Sequence, residues 1–230
     1  MANIILIAGT YHGGWYWDPI IPALTANGHK VFAPTLSGLD ADVHTSASVN
    51  LDTHIDDVIR VTEEQHLDEV VLVGWSYGGM VITGAADRLA AKVQKLIYLD
   101  AQLPKPGERE WDLIPAHEHE TFIDLCVDGA NLYPDAGMLT YEPRMQPHPL
   151  ATKLQPVNYS QAKFDALDKV FVFAEKWFHD PSVKSPIEAS YIRASNDPGW
   201  STHVWPFGHD LVREDGARVA ELILQESSNQ

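Results

Sequence analysis

The chain has 230 residues, enough for one domain with a sizeable core, and its 45% hydrophobic content places it among ordinary globular proteins. Its 32 acidic against 16 basic residues give a formal net charge of −16, which repels phosphate backbones and anionic lipid surfaces and so excludes nucleic acid and membranes as expected partners. A single cysteine, Cys126, rules out an internal disulfide and is expected as a small buried hydrophobe. Because no basic region precedes the first apolar run and no long apolar stretch follows it, the expectation is a soluble, cytoplasmic enzyme. Oligomeric state is left open.

Asn3 to Ala8 reads as a first strand, and a Gly-rich loop, Gly9 to Gly14, leads into a helix carrying Trp17, Ile20, Ile21 and Leu24 that Gly28 closes. Lys30 to Pro34 is a second strand. Thr35 to Asn50, rich in Ser, Thr, Asp and Gly, reads as a surface loop, after which Leu51, Ile55, Val58 and Ile59 recur at helical spacing. The apolar run Glu69 to Val73 predicts a third strand, Met80 to Lys92 a helix, and Lys95 to Asp100 a fourth strand.

From Pro104 to about Asp165 the alternation breaks down into prolines, glycines and short helical patches such as Thr121 to Cys126. This is read as a cap, insertion 104–165, on a core of 1–103 and 166–230. Regularity returns with strand Lys169 to Ala174, a helix, strand Thr202 to Phe207 and an amphipathic helix through Val212, Val219, Leu222 and Leu224. Ser185, Pro186 and Glu188 supply an N-cap, a first-turn proline and a capping-box partner, so Ser185 to Gly199 is expected to be helical. The whole predicts an α/β protein, a mostly parallel sheet of about six strands with helices on both faces and a small cap.

Between the third strand and its helix lies Gly74-Trp75-Ser76-Tyr77-Gly78. A serine hydroxyl is a poor nucleophile at neutral pH, so a fold that uses one presents it on a sharp strand-to-helix turn beside a base. Gly74, Gly78 and Gly79 remove the side chains that would clash there. His209, in Phe207-Gly208-His209-Asp210 after the last strand, is the candidate base in the correct chain order. The amide of Tyr77 and that of Thr10, in the loop after the first strand, are the candidate oxyanion donors. Metal ligation is not expected, since His117-Glu118-His119-Glu120 lacks the i, i+4 histidine pair of a zinc helix.

Gly9-Thr10-Tyr11-His12-Gly13-Gly14-Trp15, Gly28-His29-Lys30-Val31, Gly74 to Gly79 and Gly208-His209 together resemble the α/β-hydrolases related to plant methylesterases and hydroxynitrile lyases, with their bacterial esterase-like members. The resemblance is strong over Asn3 to Pro104 and at the C-terminus, and weak across the cap. It implies an α/β-hydrolase core with a small lid, no cofactor, ester hydrolysis, and Ser76, His209, Thr10 and Tyr77 in the family's nucleophile, base and oxyanion positions. The acid departs from the pattern. Where the plant enzymes carry an aspartate, this chain has Glu175-Lys176-Trp177, so Asp100, at the end of the fourth strand, is taken as the acid, Glu175 is the alternate, and Asp197 and Asp180 stay open.

The expected function is a serine hydrolase of carboxylesterase type that cleaves a small apolar or aromatic ester through an acyl-enzyme. Carbamates, thioesters and lactones share that chemistry. Tyr11 and Trp75 are candidate substrate-binding residues, and Tyr77, Leu125, Leu132 and Met145 are candidates for the same apolar pocket. The alternatives are a hydroxynitrile lyase, disfavoured because the plant enzymes' lysine after the histidine is here Asp210, a cofactor-free dioxygenase, and a non-enzymatic small-ligand receptor.

Overall fold

A computed structural model describes residues 1–40, 48–176 and 185–228. In chain order the elements are β1 (Asn3–Ile7), a 3₁₀ turn (Gly14–Trp17), α1 (Ile21–Ala26), β2 (Lys30–Phe32), α2 (Leu51–Glu64), β3 (Val70–Ser76), α3 (Gly78–Leu89) and β4 (Val93–Ala101). Next come α4 (Glu110–Leu113), α5 (Ala116–Leu125), β5 (Asn131–Leu132), α6 (Ala136–Tyr141), β6 (His148–Pro149), α7 (Ala151–Leu154) and α8 (Gln161–Asp165). The chain then runs through β7 (Asp168–Ala174), α9 (Glu188–Ser195), β8 (Trp200–Trp205) and α10 (Leu211–Ser228).

Six strands form one parallel sheet in the order β2-β1-β3-β4-β7-β8, and β5 and β6 make a separate antiparallel ribbon. A parallel sheet covered on both faces has strands that are apolar throughout, which is why β3 and β4 show as unbroken hydrophobic runs. Alternate residues divide between two cores. Ile5, Leu72, Leu96, Tyr98 and Phe171 pack with Ile55, Val58, Met80 and Val81 of α2 and α3. Leu6, Val71, Val73, Ile97 and Val172 face the other way, against Trp17, Leu24, Val219 and Ile223. Strand order reverses beside β1, so the carboxyl ends of β3 and β4 open onto a crevice where α/β sheets place their ligands.

Three local readings change. The single helix expected after Gly14 is a 3₁₀ turn followed by α1, because Pro19 and Pro22 lack the N–H groups that a continuous ladder needs. Gly28, with φ +84, lies just past α1 as expected. Ser185 bonds the amide of Ile187 at 3.1 Å, two residues on, so a turn replaces the expected first helical turn and α9 begins at Glu188. Cys126 is half-buried rather than buried. Residues 41–47 of the expected surface loop lie outside the described residues. No helix among the described residues is long and apolar enough to cross a membrane.

Candidate active site

Ser76 ends β3 with φ +55, a left-handed conformation that a non-glycine residue adopts only when its surroundings hold it. The turn back into α3 is so tight that a Cβ on Gly74 would stand 2.7 Å from the backbone of Gly78. From the other side, a Cβ on Gly9 would stand 2.7 Å from that of Ser76, so the loop after β1 lies directly against the serine. Chain geometry, not side-chain chemistry, requires both glycines.

The next strand delivers a carboxylate by a different device. Trp75 pairs with Leu99 but Ser76 pairs with Ala101, leaving Asp100 as the extra residue of a β-bulge, with φ +44. Its side chain is fully buried and re-aimed toward the histidine: His209 Nδ1 donates to Asp100 Oδ2 at 2.6 Å, and the amide of Ala174 donates to Oδ1 at 3.0 Å. Burial pushes the Asp100 carboxyl above the usual carboxylate range, while the hydrogen bond and charge of His209 pull it down. With Nδ1 donating, Nε2 of the neutral imidazole carries the lone pair. The His209 carbonyl accepts from the Trp75 indole at 2.8 Å, and that indole stacks on Tyr16 at 4.0 Å between centroids, so the histidine's backbone is tied to the turn that holds Ser76.

Ser76 and His209 open onto one cavity of about 490 Å³. Thr10, Tyr11, His12 and Trp75 line it, together with Ile114, Phe122, Met138, Tyr141 and Met145 from the segment between β4 and β7. Glu110, Glu118, Asp210 and Glu214 also line it, and among the described residues no lysine or arginine does.

Two buried histidines pack against Tyr77 and Tyr11. The His54 Nε2–H donates to the carbonyl of Ser37 at 2.8 Å, so Nδ1 accepts the Tyr77 hydroxyl at 2.9 Å. In His148, Nδ1 faces the Tyr11 amide at 3.4 Å and Nε2 donates to Thr152 Oγ1 at 2.8 Å, whose own proton goes to Pro149. Desolvation pushes the His54 imidazole down to about 4 and His148 well below its ordinary value. In the unfolded chain both protonate below about 6.5, so between there and about 4 the unfolded state binds more protons and stability falls as pH falls. His54→Gln cannot titrate. Between pH 7.5 and 5 it is expected to lose about 2 kcal/mol less stability than the wild type in urea titrations. Equal losses in the two proteins would contradict a neutral buried His54.

Of the residues singled out from sequence, Thr10, Tyr11, Trp75, Ser76, Met145 and His209 meet at the cavity, with Asp100 behind His209. Tyr77 does not line the cavity; its side chain is buried in the core. Leu132 is also buried away from the cavity, and Leu125 does not reach it. Glu175 is exposed just beyond the end of β7, its amide donating to the carbonyl of Trp205 at 3.0 Å. Asp197 is exposed past α9 and caps the Gly199 amide at 2.8 Å. Asp180 and Trp177 lie outside the described residues. Glu110, which lines the cavity, and His148 and Lys153, which pack behind Tyr11, Thr10 and Tyr77, carry no signal in the sequence: they come from a stretch without periodicity.

A parallel sheet with a serine on a left-handed strand-to-helix turn, and a histidine returning after the last strand, defines a hydrolase-type α/β architecture. The chain belongs to the alpha/beta hydrolase family, whose model matches residues 4–226. A carbendazim hydrolyzing esterase from Nocardioides sp. (strain SG-4G) is 34% identical over 243 residues, covering 97% of this chain and 98% of that protein. The alpha-hydroxynitrile lyase of Arabidopsis thaliana is 30% identical over 125 residues, 54% of this chain and 46% of the plant enzyme. An extracellular alpha/beta-hydrolase from a Paenibacillus species, described as sharing homology with tobacco salicylic acid binding protein 2, superposes with a TM-score of 0.81 over 98% of both chains. At 20% identity that likeness shows the fold.

Proposed function

We propose that this protein is a serine hydrolase of carboxylesterase type, acting on small neutral esters or carbamates with an apolar or aromatic group. The observation that carries the reading is the 2.6 Å bond between His209 and the buried Asp100, at a cavity that His209 shares with a serine on a strained turn. In this reading the Ser76 hydroxyl gives its proton to His209 Nε2 and attacks the substrate carbonyl. Asp100 holds the tautomer and stabilises the imidazolium. His209 then passes the proton to the leaving group, and water repeats the cycle on the acyl-enzyme.

The oxyanion of each tetrahedral intermediate is assigned to the amides of Tyr77 and Thr10. In the loop after β1 the neighbouring amides have other partners, Tyr11 with His148 and His12 with the carbonyl of Gly9, which favours Thr10. The segment 104–165 acts as the cap, since it supplies much of the apolar lining of the cavity that Ser76 shares. A hydroxynitrile lyase is disfavoured by charge: the residue after His209 is Asp210, which accepts from the Tyr141 hydroxyl at 2.9 Å and repels rather than attracts cyanide.

Labelling with a fluorophosphonate, followed by turnover on neutral esters, carbamates and carbendazim itself, tests the reading, and failure to label Ser76 overturns it. The lining also sets a preference. With four carboxylates around the cavity and a net charge of −16, esters bearing a carboxylate on the acyl group are expected to show kcat/KM at least about tenfold below neutral esters of equal size at low salt. Equal values for the two would contradict it.

A further inference from the structure

Directly behind Thr10 and Tyr77 lies a charge that the reaction above does not use. Lys153, on α7, is 0% exposed, and its ammonium meets three groups: Thr10 Oγ1 at 2.5 Å, Glu110 Oε2 at 2.7 Å and the face of the Tyr77 ring, 4.2 Å from the centroid. Glu110, on α4, is also buried but forms part of the cavity wall, whereas Lys153 does not reach the cavity. The pair is therefore a dipole, with its positive end against the side chains of the two residues assigned to the oxyanion and its negative end toward the substrate.

Stability gives little reason for this arrangement. A buried ion pair usually gains nothing over apolar side chains of the same volume, because desolvating both charges offsets their attraction. Position gives a better one. Tyr11 sits at φ +68, so the loop from Gly9 to His12 is strained and needs external restraint. The stretch 146–153 supplies it: the Gln146 amide donates to the Tyr11 carbonyl at 3.0 Å, His148 faces the Tyr11 amide at 3.4 Å, and Lys153 reaches the Thr10 hydroxyl. His148 also packs its ring edge-on to Tyr77, 4.8 Å between centroids.

We propose that Lys153, held by Glu110, is a positioning residue that locks the Thr10 hydroxyl and the Tyr77 ring so that the amides of these two residues converge on the substrate's carbonyl oxygen. This rests on the serine-hydrolase reading above. Because the two amides act on the oxyanion that develops, loosening them affects the transition state more than the bound substrate.

The test is the double variant Glu110→Gln with Lys153→Met, which removes both charges and leaves no buried charge unpaired. On a neutral ester that the wild type cleaves, kcat is expected to fall at least about tenfold with KM within about threefold. The inhibition constant of an aryl trifluoromethyl ketone, which forms a tetrahedral oxyanion on the serine, should rise by the same factor. A lysine needed only for packing would not move kcat and that constant together. Thr10→Val, which cuts the contact and leaves the ion pair in place, should lower kcat in the same sense and covers the case in which the double variant fails to fold. A folded double variant with kcat within about threefold of wild type, a loss confined to KM, or unchanged kcat in Thr10→Val overturns the proposal. Absence of fluorophosphonate labelling at Ser76 in the wild type instead overturns the serine-hydrolase reading, and the positioning role with it.

Discussion

Ser76→Ala is expected to abolish ester turnover, with kcat falling on the order of 10⁶, while the protein stays folded. The alanine keeps the Cβ against which the loop at Gly9 packs, so the close approach of the two chains survives. It also tolerates φ +55 about as well as serine does, so the strain of the turn is unchanged. What disappears is the hydroxyl oxygen proposed to form the acyl-enzyme. Residual rate enhancement should be that of the oxyanion amides and substrate binding alone. The measurement is kcat of the purified variant on whichever ester the wild type cleaves, with circular dichroism to establish folding. Turnover within about tenfold of wild type would remove the acyl-enzyme from the mechanism and favour chemistry that needs only the histidine and its acid, as in a cofactor-free dioxygenase.

The parts of the molecule that sequence reveals are those whose cause is local. Val70 to Val73 and Leu96 to Leu99 read as strands because a parallel sheet with two covered faces requires apolar residues at every position. Gly74, Gly78 and Gly79 betray the sharp turn because each marks a place where backbone meets backbone. The break between the 3₁₀ turn and α1 is also written locally, in Pro19 and Pro22, and only the apolar spacing across them suggests one helix. Ser185 misleads for a related reason. Its hydroxyl satisfies either the second or the third amide ahead, and tertiary packing of Pro186 and Ile187 against the cavity selects the second.

The cavity lining from between β4 and β7 has no such signature. Ile114, Phe122, Met138 and Tyr141 come from short helices and turns whose order in space follows from packing onto the sheet, not from any period in the chain. The pairing of Glu110 with Lys153 joins two elements, α4 and α7, of four residues each, and neither helix is long enough to show a face. The same limit applies to the acid. Whether Asp100 or Glu175 can meet His209 depends on a one-residue bulge in β4 and on a loop that returns 109 positions later, and composition records neither.

Asp100→Asn is expected to lower kcat by roughly 10⁴ with the fold intact, while Glu175→Gln and Asp197→Asn are expected to change it little. An amide at position 100 has nearly the shape of the carboxylate and can keep the Ala174 amide bond at its oxygen. If its NH₂ group turns to the imidazole, Nδ1 must accept instead of donate, and the proton moves to Nε2, where it blocks the serine. Even in the other orientation, a neutral amide cannot offset the imidazolium that forms as Ser76 is deprotonated. Burial sharpens the effect, since Asp100 is fully enclosed and its charge acts on His209 with little screening by water. Glu175 and Asp197 are exposed, one beyond β7 and one beyond α9, where a change of charge is screened. The three variants are to be assayed side by side on one ester, with circular dichroism to exclude unfolding. Near-normal turnover in Asp100→Asn together with a large loss in Glu175→Gln would put the acid after the later strand, as in the plant enzymes, and would leave the 2.6 Å bond between Asp100 and His209 without a catalytic role.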